Sequence, residues 1–149
     1  MKKSLKFAGT LGAALALTGA LQSPAAAASW TSTQPTWGTA KCSSGANLTD
    51  SSHKIFTCIM YGGGKVQAYA MVMNSSSGDR YLPKTETMIN FGGVGINPST
   101  CAASGMPKQS TRWCLAVKMD GPSGGCSNLN AHSRYYWYAD KTQNSPVCG

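Results

Sequence analysis

The hydrophobic pattern is densest between residues 54 and 73. Residues 54–61 (KIFTCIMY) and 65–73 (KVQAYAMVM) are rich in β-branched, aromatic and thioether side chains, and Gly62, Gly63 and Gly64 separate them. Two such runs joined by residues that take positive φ without a steric cost predict a β-hairpin. In the second run Val66, Ala68, Ala70 and Val72 share one face, and Tyr69, Met71 and Met73 share the other. A strand that is apolar on both faces predicts cover on both, as in the centre of a sandwich or barrel.

Weaker patterns flank this hairpin. Residues 42–52 are rich in Ser, Asn and Gly and read as turns, as do 74–79 (NSSSGD) and 120–125 (DGPSGG). A strand within 81–91 is predicted, with Pro83 limiting its start. Residues 92–104 (GGVGINPSTCAAS) read as irregular. Residues 112–119 (RWCLAVKM) predict a strand with Trp113, Leu115, Val117 and Met119 on one face. Residues 133–139 (SRYYWYA) predict an aromatic strand. Short strands at regular spacing with turns between them predict an all-β fold, a small disulfide-stapled β-sandwich or barrel. Composition points the same way. Lys, Arg, Asp and Glu together supply only 12% of residues, while glycine alone supplies 17 of the 149, and a helical bundle needs more charge and less glycine.

The beginning of the chain has a different character. Lys2, Lys3 and Lys6 precede an apolar run over 7–21, and Ala25, Ala26, Ala27 and Ala28 offer a small-x-small cut. That order of parts is the pattern of an export signal over residues 1–28, cut after Ala28. The apolar run falls short of the ~20 residues a membrane helix needs. Residues 29–41 then read as a loosely held polar arm, from which Trp30 or Trp37 can dock, and 42–149 as the stapled domain.

All six cysteines (Cys42, Cys58, Cys101, Cys114, Cys126, Cys148) lie beyond the signal. In an oxidising compartment they pair. Six cysteines allow fifteen connectivities, and the sequence does not choose among them. The simplest guess is local: Cys42 with Cys58, Cys101 with Cys114, and Cys126 with Cys148. No C-x-x-C spacing exists, so zinc ligation is not indicated, and neither a metal nor another cofactor is expected. Lys and Arg total 13 against five acids. The basic residues are scattered, which suits solubility better than a nucleic-acid stripe.

Motifs with catalytic letters are weak. Residues 121–125 (GPSGG) fit G-x-S-x-G, but no helix pattern follows and His132 precedes Asp140, the wrong order for that hydrolase fold. Residues 51–54 (SSHK) give S-x-x-K without its companion motifs. Residues 92–95 (GGVG) lack the Lys-Ser or Lys-Thr of a phosphate loop. His53 and His132, with Glu86 and Arg112 or Lys54, supply the residue types of a ribonuclease working by general acid–base transfer. A Cys101–Cys114 loop carrying Met106, Pro107 and Lys108 could be offered to a protease as an inhibitor. The densest aromatic segment, with Arg134, Tyr136, Trp137 and Tyr138, could stack on sugar rings or bases.

The Ala-rich end of the signal, Arg112-Trp113-Cys114 and the terminal residues 145–149 (SPVCG) together resemble small secreted six-cysteine proteins of unknown function from actinobacteria. The resemblance implies a secreted, disulfide-bonded β-domain and transfers no catalytic residue. The leading expectation is a secreted, non-enzymatic binding protein whose partner is a cell-wall polymer or another extracellular macromolecule. A small hydrolase and a protease inhibitor are the alternatives.

Overall fold

Two residues, Gly63 (φ 54°) and Gly64 (φ 71°), turn the chain between its two longest strands. Both are in the left-handed region, which a tight two-residue hairpin loop requires and glycine tolerates. The computed structural model describes residues 26–122, 126–137 and 140–148. Its strands are β1 (Ala26–Ala28), β2 (Thr39–Cys42), β3 (Ala46–Asn47), β4 (His53–Gly62), β5 (Lys65–Asn74), β6 (Arg80–Leu82) and β7 (Lys84–Phe91). They continue with β8 (Val94–Cys101), β9 (Ser104–Met106), β10 (Ser110–Leu115), β11 (Met119–Asp120), β12 (Leu129–Tyr136) and β13 (Lys141–Asn144). No helix occurs among the described residues.

The strands form two main sheets. One runs β1-β8-β7-β12-β13; the other runs β10-β5-β4-β2, with β11 on β5 and β3 on β4. A short pair, β6 with β9, stands apart. Strands β7 and β12 pack across β4 and β5, so the all-β architecture is a sandwich with no closed barrel. Between the sheets lie Ile55, Ile59, Val66, Ala68, Ala70 and Val72 from one side. Ile89, Leu129, Ala131 and Tyr135 meet them from the other. Full burial of each larger aliphatic side chain contributes about 1.5–3 kcal/mol.

The predicted hairpin is present, with β4 and β5 paired from His53↔Asn74 to Gly62↔Lys65. Both faces of β5 are covered, as the pattern implied. Its second face joins Cys58, Met60 and Tyr69 to Trp37, Phe56, Met71, Trp113 and Leu115. Pro83 separates β6 from β7, in keeping with its missing N–H donor.

Four expectations need correction. Residues 92–104 are not irregular throughout: Gly92 (φ 58°) and Gly93 (φ 89°) make a second hairpin turn, and β8 follows. A bulge opposite Met88, where Asn97 takes φ 50°, hid the strand pattern. Residues 112–119 do not form one strand. Leu115 pairs with Tyr69 and Met119 with Val66, so three residues on one side face two on the other. That extra residue flips the chain, leaving Val117 exposed and turning Met119 toward the inter-sheet core, away from the face of Trp113. The aromatic strand begins at Leu129 and ends at Tyr136, before Trp137. The arm is not loose: Trp30 Nε1 donates to Ala102 O at 2.8 Å, Trp37 Nε1 donates to Gln67 Oε1 at 3.0 Å, and residues from Thr39 onward belong to β2.

The cysteines pair as Cys42–Cys58, Cys101–Cys114 and Cys126–Cys148. The first joins directly opposed positions of β2 and β4. The second crosses from β8 to β10, and so from one sheet to the other. The third fastens the C-terminal segment beside β12. Three intramolecular disulfides suit an oxidising, extracellular environment. No described helix is long and apolar enough to cross a membrane. Of the proposed signal only Ala26–Ala28 is described, as β1 in parallel register with Ser99–Cys101.

Candidate functional site

Alternation along β12 sorts its residues cleanly. Leu129, Ala131, Ser133 and Tyr135 are buried against the other sheet. Asn130, His132, Arg134 and Tyr136 therefore point away from it, because side chains alternate across a strand. Register then assembles the outer face. Asn90, Met88, Glu86 and Lys84 of β7 lie opposite Asn130, His132, Arg134 and Tyr136 in that order. On the other flank, β13 sets Asn144 beside His132 and Thr142 beside Arg134.

The Tyr136 ring sits near two cations. The Arg134 guanidinium carbon is 4.7 Å from the ring centroid, and Lys84 Nζ is 5.0 Å from it. Cation–ring attraction of this kind fixes the side chains relative to one another. Arg134 is held from a second direction. Its Nε and Nη2 both donate to Asp140 Oδ2, at 3.1 and 2.5 Å. Hydrogen bonding to Asp140, then that carboxylate's charge, keeps the guanidinium still more firmly protonated. Lys84 and Arg134 are matched by Glu86 and Asp140, so this patch is close to neutral.

Further along the face, His132 Nδ1 lies 2.7 Å from Asn144 Oδ1. An amide oxygen accepts, so Nδ1 carries a proton in this pair. Met88, Asn90, Gly93, Gly95 and His132 line a shallow cleft there. A Cβ at Gly95 would run into Met88 Sδ, so glycine lets the Met88 side chain lie across β8.

The sequence-predicted binding residues are only partly united. Arg134 and Tyr136 share the outer face. Trp137 lies past the end of β12, partly buried against the core, with its ring 5.6 Å from that of Tyr81. Tyr138 lies outside the described residues. Tyr81, 50% exposed, is the aromatic that sequence reading missed. Its only signal was Pro83, whose break creates the short strand that carries it.

The ribonuclease set is not brought together. His53 lies in the other sheet, 1% exposed, with Nδ1 3.1 Å from Thr49 Oγ1. Its Nε2 has no partner among the described residues, and burial, then Arg80, pushes its pKa down. Lys54 and Arg112 belong to that sheet as well, while His132 and Glu86 share a face of the five-stranded sheet. The inhibitor loop is tied down. Met106 is buried, Lys108 N–H donates to Asp79 Oδ1 at 2.9 Å, and Pro107 O accepts from Asn74 Nδ2 and Ser110 Oγ. Residues 123–125 of the G-x-S-x-G letters lie outside the described residues. Among the described residues no three His, Cys, Asp or Glu side chains gather to hold a metal.

The site thus offers an open face of amides, an imidazole, a guanidinium and a phenol ring held in register by three strands. Such a face can hydrogen-bond and stack. Comparison of the chain with protein-family models, characterised proteins and solved structures finds no match.

Proposed function

We propose that the protein is exported and binds a neutral cell-envelope polysaccharide on the outer face of its five-stranded sheet. The observation that carries this reading is the Tyr136 ring, held by Lys84 and Arg134 at the end of a row of amides and His132. A sugar ring has an apolar face that packs on an aromatic ring and hydroxyls that exchange hydrogen bonds with amides. Charge compensation by Glu86 and Asp140 favours a neutral chain over a polyanion. The signal pattern over 1–28 supports export, and the three disulfides suit the compartment reached.

The test is retention of the exported protein on insoluble cell-wall glycan. Retention should persist in 1 M salt, where exposed ion pairs are screened within about 3 Å. Tyr136→Ala should lower affinity about tenfold, the equivalent of ~1.4 kcal/mol. Absence of retention, or retention that salt abolishes, would count against the reading.

A further inference from the structure

A groove of ≈ 430 Å³ lies where the arm crosses the outer face of the six-stranded sheet. Pro35, Trp37 and Leu115 are among the residues that line it. Trp37 is locked in place. Its Nε1 donates to Gln67 Oε1 at 3.0 Å, and Gln67, itself 7% exposed, donates through Nε2 to Ala116 O at 2.7 Å. With the indole nitrogen committed, what Trp37 offers a ligand is the face of its ring. Lys118 Nζ lies over that ring at 4.3 Å from a ring centroid. Lys118 is the one charged side chain among the lining residues, and none of them is acidic.

Export adds a second charge. Ala28 and Ser29 both line the groove. A cut after Ala28 removes the first and turns the second into a free α-ammonium, largely protonated at neutral pH. Its position is fixed by the two residues that follow. Trp30 is tied to Ala102 O, and Thr31 exchanges two backbone hydrogen bonds of 3.0 Å with Trp113. We infer that maturation completes a binding site for a sugar ring bearing a carboxylate: the Lys118 ammonium leaves the Trp37 ring to meet the carboxylate together with that of Ser29, and the sugar ring packs on the indole face so freed. The site's cationic character distinguishes it from the neutral face of the other sheet. The inference rests on the reading of 1–28 as an export signal.

The experiment uses the exported chain, its first residue established by intact mass, and follows tryptophan fluorescence during titration with tetragalacturonate or the uncharged maltotetraose. The acidic tetramer should bind and the neutral one bind at least about fivefold more weakly, the scale of one exposed ion pair. Lys118→Gln and acetylation of the Ser29 amine should each cost about fivefold, with the thermal midpoint unchanged. Arg134→Ala should leave this binding intact, which separates it from the proposed glycan face. Equal affinity for both tetramers, binding indifferent to Lys118→Gln and acetylation, binding of neither tetramer, or a mature chain that does not begin at Ser29 would each overturn the inference.

Discussion

The Tyr135 hydroxyl donates to the backbone carbonyl of Phe56 at 2.6 Å, linking β12 to β4 through the middle of the sandwich. Tyr135 is fully buried, and Thr57 Oγ1 lies 3.4 Å from the same hydroxyl. Burial raises the phenol's pKa far above its ordinary value, so the group stays a neutral donor. Tyr135→Phe keeps the ring and leaves the Phe56 carbonyl without this donor. The expected cost is about 1–2 kcal/mol. Thermal unfolding should show a midpoint several degrees lower with the transition still cooperative; an unchanged midpoint would show that the bond contributes nothing.

His53 makes stability depend on pH in one direction. Its folded pKa is lowered from 6.5, by burial first and then by Arg80, while nearby Asp50 opposes the shift. The unfolded chain therefore takes up a proton on His53 before the folded chain does. The contribution is complete above pH 6.5 and is lost as pH falls below it. Asp50 titrates below its own ordinary value of 3.8, outside this window. Between pH 7.5 and pH 5 the melting midpoint should fall by a few degrees in the parent protein and by less in His53→Met. Parallel curves for the two proteins would contradict the assignment.

How much of this was legible depended on whether local sequence and tertiary partner agreed. The β4–β5 hairpin was legible because its apolar run and the Gly63-Gly64 turn both specify it. Strand β8 was not, since Gly95, Asn97 and Pro98 carry no strand signal, and it exists because β7 accepts it around a bulge. The flip of Met119 was equally hidden: one extra residue after Leu115 undid the alternation that placed it beside Trp113. Of the candidate site, Arg134 and Tyr136 could be found as an aromatic–basic cluster. Lys84 and Asn144 could not, because only cross-strand register brings them beside β12.

The three disulfides should differ in consequence although their sequence separations are similar, 16, 13 and 22 residues. Loop closure alone would make them nearly equal. Cys42 and Cys58 sit on strands already paired by backbone hydrogen bonds. Cys101 and Cys114 are fully buried and join separate sheets. Replacing Cys101 and Cys114 by Ala should cost ~2–5 kcal/mol. Replacing Cys42 and Cys58 should cost less. Denaturant midpoints of the two double variants provide the comparison, and the reverse order would refute the structural argument.

Asp140 decides what kind of polymer the five-stranded face accepts. It holds Arg134 through two hydrogen bonds and cancels its charge. Both groups are partly exposed, so Asp140→Asn should leave folding nearly unchanged. The substitution leaves Lys84 and Arg134 facing Glu86 alone and gives the patch a net positive charge. It also removes one of the two restraints that keep Arg134 near Tyr136. Affinity for a neutral glycan should fall modestly, while a polyanion such as heparin gains a partner. On a heparin column the variant should elute at higher salt than the parent, and the difference should vanish once salt screens exposed charges. Identical elution of the two proteins would mean that the Arg134–Asp140 pair does not set the charge this face presents.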